Sequence, residues 1–395
     1  MYPKFRLYFK LSICGALIAS TVLMSGCWDR IEINDIALIT ATAYDTAPEG
    51  KLQYSVQIML PAGGGQSPDQ GGSGGSKQKS FIVETAIGID PGDGEKNIQR
   101  KFPRRLFRGH RRVIIIGEEL AKEGLVKMLD SIGRDPQNRL RTYVMVAKGK
   151  KGVEMLDMEY PVERVPSEAM REMVIAGIKV NADIRDFLTA ASSEGTQPVA
   201  IAIEPEEGKK GFKPVGIALF RDLKLAGFLD MEGTEGYLWS MGNYKKSIVA
   251  TKIPNQGVIR VNVKKSSAKI TPKMKGNTPS IDILIKGRGS IYGNSTNLDL
   301  TIPKYLSLTQ KAIRKKIKNQ IENTIKTVQK EYGADIFGFG SYFMQYKPKE
   351  WKKLESKWND IFPNIKVTVS VDFKIQTSGM SGPALYLKEK EVKKK

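Results

Sequence analysis

The stretch "RRVIIIGEELAKEGLVKMLDSIG" (111–133) sets the reading of the fold. Val113 to Ile116 form an unbroken apolar run, the mark of a strand covered on both faces. Gly117 closes that run. Glu118 to Ile132 then read as a helix, with Leu120, Leu125, Met128, Leu129 and Ile132 on one side and Gly133 at its end. Asp135-Pro136 breaks the chain, and "RLRTYVMVAKG" (139–149) reads as a second strand. Strand, helix and strand with short connections predict a mixed α/β unit.

Upstream, "KLQYSVQIML" (51–60) alternates apolar and polar residues, as a half-buried strand does. "PAGGGQSPDQGGSGGSKQKS" (61–80) is nearly devoid of apolar side chains. Such a segment cannot offset its ordering entropy, and it is expected to be a disordered loop inside the first domain. Residues 167–192 read as helical, anchored by Ile184, Phe187 and Leu188, and the N-terminal domain is drawn as 27–195.

From residue 196 the texture is strand-rich: "PVAIAIE", "PVGIALF", "KLAGFLD" and "SIVATKI", separated by polar turns including "EPEEGKK" and "MEGTEG". These predict a long antiparallel sheet in a β-rich middle domain, 196–300. The last domain, 301–385, opens on a helix over roughly 306–332 with Ile313, Ile317, Ile321, Ile325 and Val328 as its apolar stripe. Its other faces carry Lys311, Arg314, Lys315, Lys316, Lys318, Lys326 and Lys330 against Glu322. "KVTVSVDFKIQTSG" (366–379) is an alternating strand, and 386–395 is a basic tail. The fold class is therefore α+β, each domain a mixed or antiparallel sheet with packed helices.

The chain has 395 residues, more than one ordinary core accommodates, and a formal net charge of +21, which favours anionic partners. Its first residues set the compartment. Lys4, Arg6 and Lys10 precede an uncharged run from Leu11 to Met24, the shape of a secretory signal and short for a spanning helix. Ser25-Gly26-Cys27 ends that run and resembles the lipobox of bacterial lipoproteins, so 1–26 is read as a lipoprotein signal peptide. The resemblance implies S-diacylglyceryl and N-acyl groups on Cys27. Two acyl chains hold a protein stably on a bilayer where one does not. With Cys14 removed and Cys27 consumed, a disulfide framework, a cysteine zinc site and a cysteine nucleophile are excluded from the processed chain. Its body keeps a charge of +18, which favours an anionic membrane surface. Nucleic acid as a partner conflicts with export.

Motifs spread along the chain resemble the Ger(x)C family of spore germination lipoproteins. "CWDRIEIND" (27–35) resembles the family's opening, "RRLFRGHRRVIIIGEELA" (104–121) its G-H…GEE block, and "RDPQNRLRTYVMVAKG" (134–149) its RDP segment. "GIALFRDLKLAGFLDMEGTEGYLW" (216–239) and "EYGADIFGFGSYFMQYKPKEWKKLESKWNDIFPNIKVTVSVDFKI" (331–375) extend the likeness. It implies an elongated three-domain fold with no catalytic site and no cofactor. It also implies the C subunit of a germinant receptor, lipid-anchored on the outer face of the spore inner membrane. The implied partners are the integral-membrane A and B subunits. Assembly and signal relay both stay open as its role, as does direct contact with the germinant.

Two residue groups carry candidate contacts. His110, the only histidine, stands among basic residues with no acid from Lys101 to Arg112. Arg104, Arg105, Arg108 and His110 could therefore form an anion or partner contact, weighed against a solvated basic edge. Trp351 and Trp358, seven residues apart, are either core or a partner patch. One histidine without a cysteine speaks against a catalytic triad or zinc centre. Three functional classes stand beside one another: a receptor-assembly or signalling lipoprotein, a solute-binding lipoprotein delivering a small nutrient to a transporter, and a cell-wall enzyme.

Overall fold

The computed structural model describes residues 8–9, 12–15, 32–60, 80–208, 210–377, 383, 386–388 and 391–393. Cys27, most of the signal segment and residues 61–79 of the glycine-rich loop lie outside them. The apolar run at 113–116 is the middle of a nine-stranded sheet. Its strands are β1 (Ile36–Thr46), β2 (Leu52–Met59), β3 (Phe81–Gly88), β4 (Arg105–Phe107), β5 (Val113–Gly117), β6 (Tyr143–Ala147), β7 (Val199–Pro205), β8 (Phe212–Arg221) and β9 (Lys224–Leu229). The order is β3-β2-β1-β5-β6-β7-β8-β9, with β4 beside β1. The central pairs β1–β5, β5–β6 and β6–β7 are parallel, and antiparallel strands flank them on both sides.

Parallel strands buried on both faces supply two cores, and β5 shows how. Val113 and Ile115 enter one cluster while Ile114 and Ile116 enter the other. The expected helix after Gly117 is two: α2 (Glu118–Glu123) and α3 (Val126–Arg134), following α1 (Pro91–Gln99). Gly124, at φ +126, breaks the helix between them. Residues 167–192 divide in the same way. After α4 (Gly152–Leu156) come α5 (Pro166–Met173), a π-helical turn ending at Lys179 with φ 59, and α6 (Ile184–Ala191).

The second sheet is four-stranded: β10 (Ser247–Ile253), β11 (Gly257–Lys275), β12 (Thr278–Asn294) and β13 (Lys366–Thr377), in that order. The strands drawn together as a middle domain at 196–300 are thus divided. β7 joins β6 in parallel, so the first sheet runs past residue 195 as far as Leu229, and the second sheet borrows β13 from the last segment. Spacing marks a strand but not its partner. "MEGTEG", expected as a turn, begins α7 (Met231–Ser240), because the Asp230 side chain accepts from the Gly233 N–H at 2.7 Å and caps the helix.

The long helix α8 (Pro303–Thr327) crosses from β12 to β13 over the inner face of the second sheet. Ile313, Ile317 and Ile321 are fully buried against Ile281, Ile283 and Ile285, and each contributes about 1.5–3 kcal/mol. Three short helices follow: α9 (Phe339–Tyr346), α10 (Pro348–Leu354) and α11 (Trp358–Ile361). One apolar cluster joins these helices, the second sheet and one face of the first.

Candidate functional site: the junction of the two sheets

"DIFGFG" (335–340) holds the last segment against the first sheet. Asp335 is 3% exposed, and its carboxylate accepts three hydrogen bonds. Oδ1 takes the Phe339 N–H at 3.1 Å, while Oδ2 takes the Gly340 N–H and the Trp358 Nε1–H, both at 2.9 Å. Its backbone carbonyl accepts from Gln197 N at 2.8 Å, just ahead of β7. Burial pushes the Asp335 carboxyl up to about 6, although three donors favour its charged form. Gly340 permits the close approach: a Cβ there would lie 2.6 Å from Gly195 Cα and 2.8 Å from both Trp351 and Trp358. The Ser341 hydroxyl meets those of Thr196 at 2.6 Å and Ser193 at 3.0 Å.

Trp351 and Trp358 are each 3% exposed and meet edge to face at 5.3 Å. Both are core residues rather than an exposed partner patch, and Trp358 supports Asp335 directly. Sequence reading passed over Asp335 itself. The signal was there: an aspartate between apolar residues, ahead of two glycines and the tryptophans.

Beside this hub lies a cleft of about 380 Å³, walled by α6, α7 and residues 336–342. Asp186, Thr189, Tyr237, Phe337, Ser341 and Tyr342 are among its lining residues. Burial, and secondarily the negative charge of Asp186, push the Tyr237 phenol up to about 12. Tyr237 is therefore neutral at pH 7 and does not act as a base. The cleft can enclose a small neutral or cationic group, but its lining holds no paired nucleophile and base. Among the described residues, no group of three or more His, Cys, Asp or Glu is arranged to hold a metal ion.

Within the basic run at 101–112 the structure takes Arg108 out of the candidate contact. Arg104, Arg105 and His110 are exposed, whereas Arg108 turns inward to pair with Glu95 and, at 2.5 Å, with Asp135. Arg111 is 3% exposed and donates to Thr42 Oγ1 at 3.2 Å and Asn138 Oδ1 at 2.5 Å. Glu95 and Asp135 come from other elements, α1 and the turn after α3, so both lie outside the acid-free window at 101–112. Three cations on α8 are likewise engaged: Lys316 with Glu232 at 2.9 Å, Lys318 with Glu322 at 3.7 Å and Arg314 with Asp372 at 3.6 Å. Cys27 lies outside the described residues, and among those residues no helix is long and apolar enough to cross a membrane.

Together these features define an α+β protein of two sheets locked by a buried carboxylate. Residues 29–205 match the spore germination protein N-terminal domain, and residues 215–379 match the C-terminal family described as spore germination B3/GerAC like. The chain belongs to the Ger(x)C family of spore germination proteins. It is 24% identical to spore germination protein KC of Bacillus subtilis (strain 168), over 94% of this chain and 96% of that protein. Spore germination protein B3 of the same organism is also 24% identical, over 91% and 96%. The crystal structure of the GerBC protein shares the fold at a TM-score of 0.58 and 21% identity, covering 85% of this chain and 96% of that one. The first family match ends with β7 and the second begins within β8, so the first sheet draws strands from both matched segments, whereas the second sheet lies wholly within the second.

Proposed function

We propose that this chain is the lipid-anchored, non-enzymatic C subunit of a spore germinant receptor. In this reading Cys27 carries the acyl groups and the body sits on the outer face of the spore inner membrane. There it works with the A and B membrane subunits, through assembly or signal relay. The observation that carries the proposal is the likeness to germination proteins over more than nine-tenths of both chains, with both family segments in sequence. The test is recovery of the native protein from spore membranes. It should carry added acyl mass at Cys27 and bring down polytopic partners, and Cys27→Ala should release it from the membrane fraction. Retention of Cys27→Ala together with an unmodified native chain would sink the anchoring. A second reading, a solute-binding lipoprotein delivering a small nutrient to a transporter, is favoured by the 380 Å³ cleft. Tight calorimetric binding of a nutrient to the purified chain, with no polytopic partner recovered, would select it.

A further inference from the structure

The outer face of the second sheet is strongly cationic. β11 presents Arg260, Lys264, Lys265, Lys269, Lys273 and Lys275, all exposed. β10 adds Lys252, β12 adds Lys286 and Arg288, and β13 adds Lys366 and Lys374, again all exposed. Against these eleven cations the four strands contain two carboxylates, Asp282 and Asp372, neither fully exposed. Both are already engaged, Asp282 by Lys273 and Asp372 by Arg314 of α8.

The register sharpens the point. Lys265 lies opposite Arg288, and Arg288 lies opposite Lys374, giving a row of three cations across three adjacent strands. Neighbouring strands are about 4.8 Å apart, and like charges directly opposite destabilise a sheet. The inner face offers no compensation, since it is filled by Ile281, Ile283, Ile285 and Phe373. A row that costs the isolated fold stability becomes favourable once an anionic layer covers it.

We infer that this face docks on a phospholipid bilayer bearing anionic headgroups. The charge is spread over a whole sheet face, whereas the clefts lie at the junction of the sheets, so an extended anionic surface fits better than a small enclosed ion. Ile248 on this face and Tyr292 at the β12 bulge are 45% and 65% exposed, side chains that suit the headgroup layer. Its placement beside a membrane rests on the anchored reading above, but the charge pattern does not.

The test uses the processed chain, residues 27–395, carrying Cys27→Ala in every arm, so that neither the signal segment nor an acyl anchor contributes. Binding is measured to neutral phosphatidylcholine vesicles and to vesicles with about 30% phosphatidylglycerol. Each cation at such a surface contributes about a fivefold change in affinity. Lys265→Thr, Arg288→Thr and Lys374→Thr together should lower affinity for the anionic vesicles about 100-fold. Because the row is self-repelling, the same variant should melt at an equal or higher temperature. A charge-matched control, Lys101→Gln with Arg105→Gln and Lys127→Gln, should lose only a few-fold. Equal losses in the two triple variants, equal binding to neutral vesicles, or a sheet variant that melts early with binding intact would each overturn the assignment. None of these outcomes bears on acyl mass at Cys27, which tests the anchor separately.

Discussion

Replacing Asp335 tests the hub directly, because burial and hydrogen bonding act on it in opposite directions. Asp335→Ala leaves the Phe339 and Gly340 N–H groups and the Trp358 indole N–H without their acceptor. Each of the three buried donors left unpaired costs about 1–3 kcal/mol, so the expected loss is at least about 3 kcal/mol. Asp335→Asn keeps the volume and adds a pH signature. The wild-type carboxyl has its folded value raised to about 6 from an ordinary 3.8, so the folded state holds its proton more tightly than the unfolded chain. The stability contributed by this proton is complete below the ordinary value and is lost as pH rises through 6. At about 1.4 kcal/mol per unit, a shift of roughly two units amounts to about 3 kcal/mol. Asparagine has no such dependence, so the destabilisation caused by Asp335→Asn should shrink by about 3 kcal/mol between pH 4 and pH 7. Urea unfolding of both chains, followed by tryptophan fluorescence, reads the effect beside Trp351 and Trp358. A deficit identical at both pH values would refute the burial argument. A loss below about 1 kcal/mol for Asp335→Ala would refute the hub.

Two further substitutions probe other close contacts. Gly236 lets α7 cross α8, since a Cβ would lie 2.0 Å from Thr324 Oγ1 and 2.9 Å from the Gln320 carbonyl oxygen. Gly236→Ala should cost about 1–3 kcal/mol in thermal or urea unfolding, and Thr324→Ala in the same chain should recover part of it. Arg108→Met strands Glu95 and Asp135 without their shared partner and should cost about 3–5 kcal/mol, whereas removing exposed Arg105 should change stability by less than about 0.5 kcal/mol. A loss at Arg105 equal to that at Arg108 would return the basic run to a single functional unit.

Much of the local structure was legible because its causes are local. The four-residue apolar run became β5, the alternation at 51–60 became β2, and the isoleucine stripe became the buried face of α8. The family was legible for the same reason, since its motifs are contiguous stretches. Sequence alone also supplies the argument about Cys27, which lies outside the described residues. Partnership was not legible. Whether β7 joins the strands before it or after it, and whether Arg108 is solvated or paired, depends on residues far along the chain. Asp335 is the plainest case: an aspartate ordinarily faces water, and only a fold that converges three N–H groups on it makes its burial tolerable. The cationic row of Lys265, Arg288 and Lys374 shows the same division. Composition determined that the chain is basic. Only strand register decided that three of those charges stand side by side, because pairing across strands is set by the folded core and not by distance along the chain.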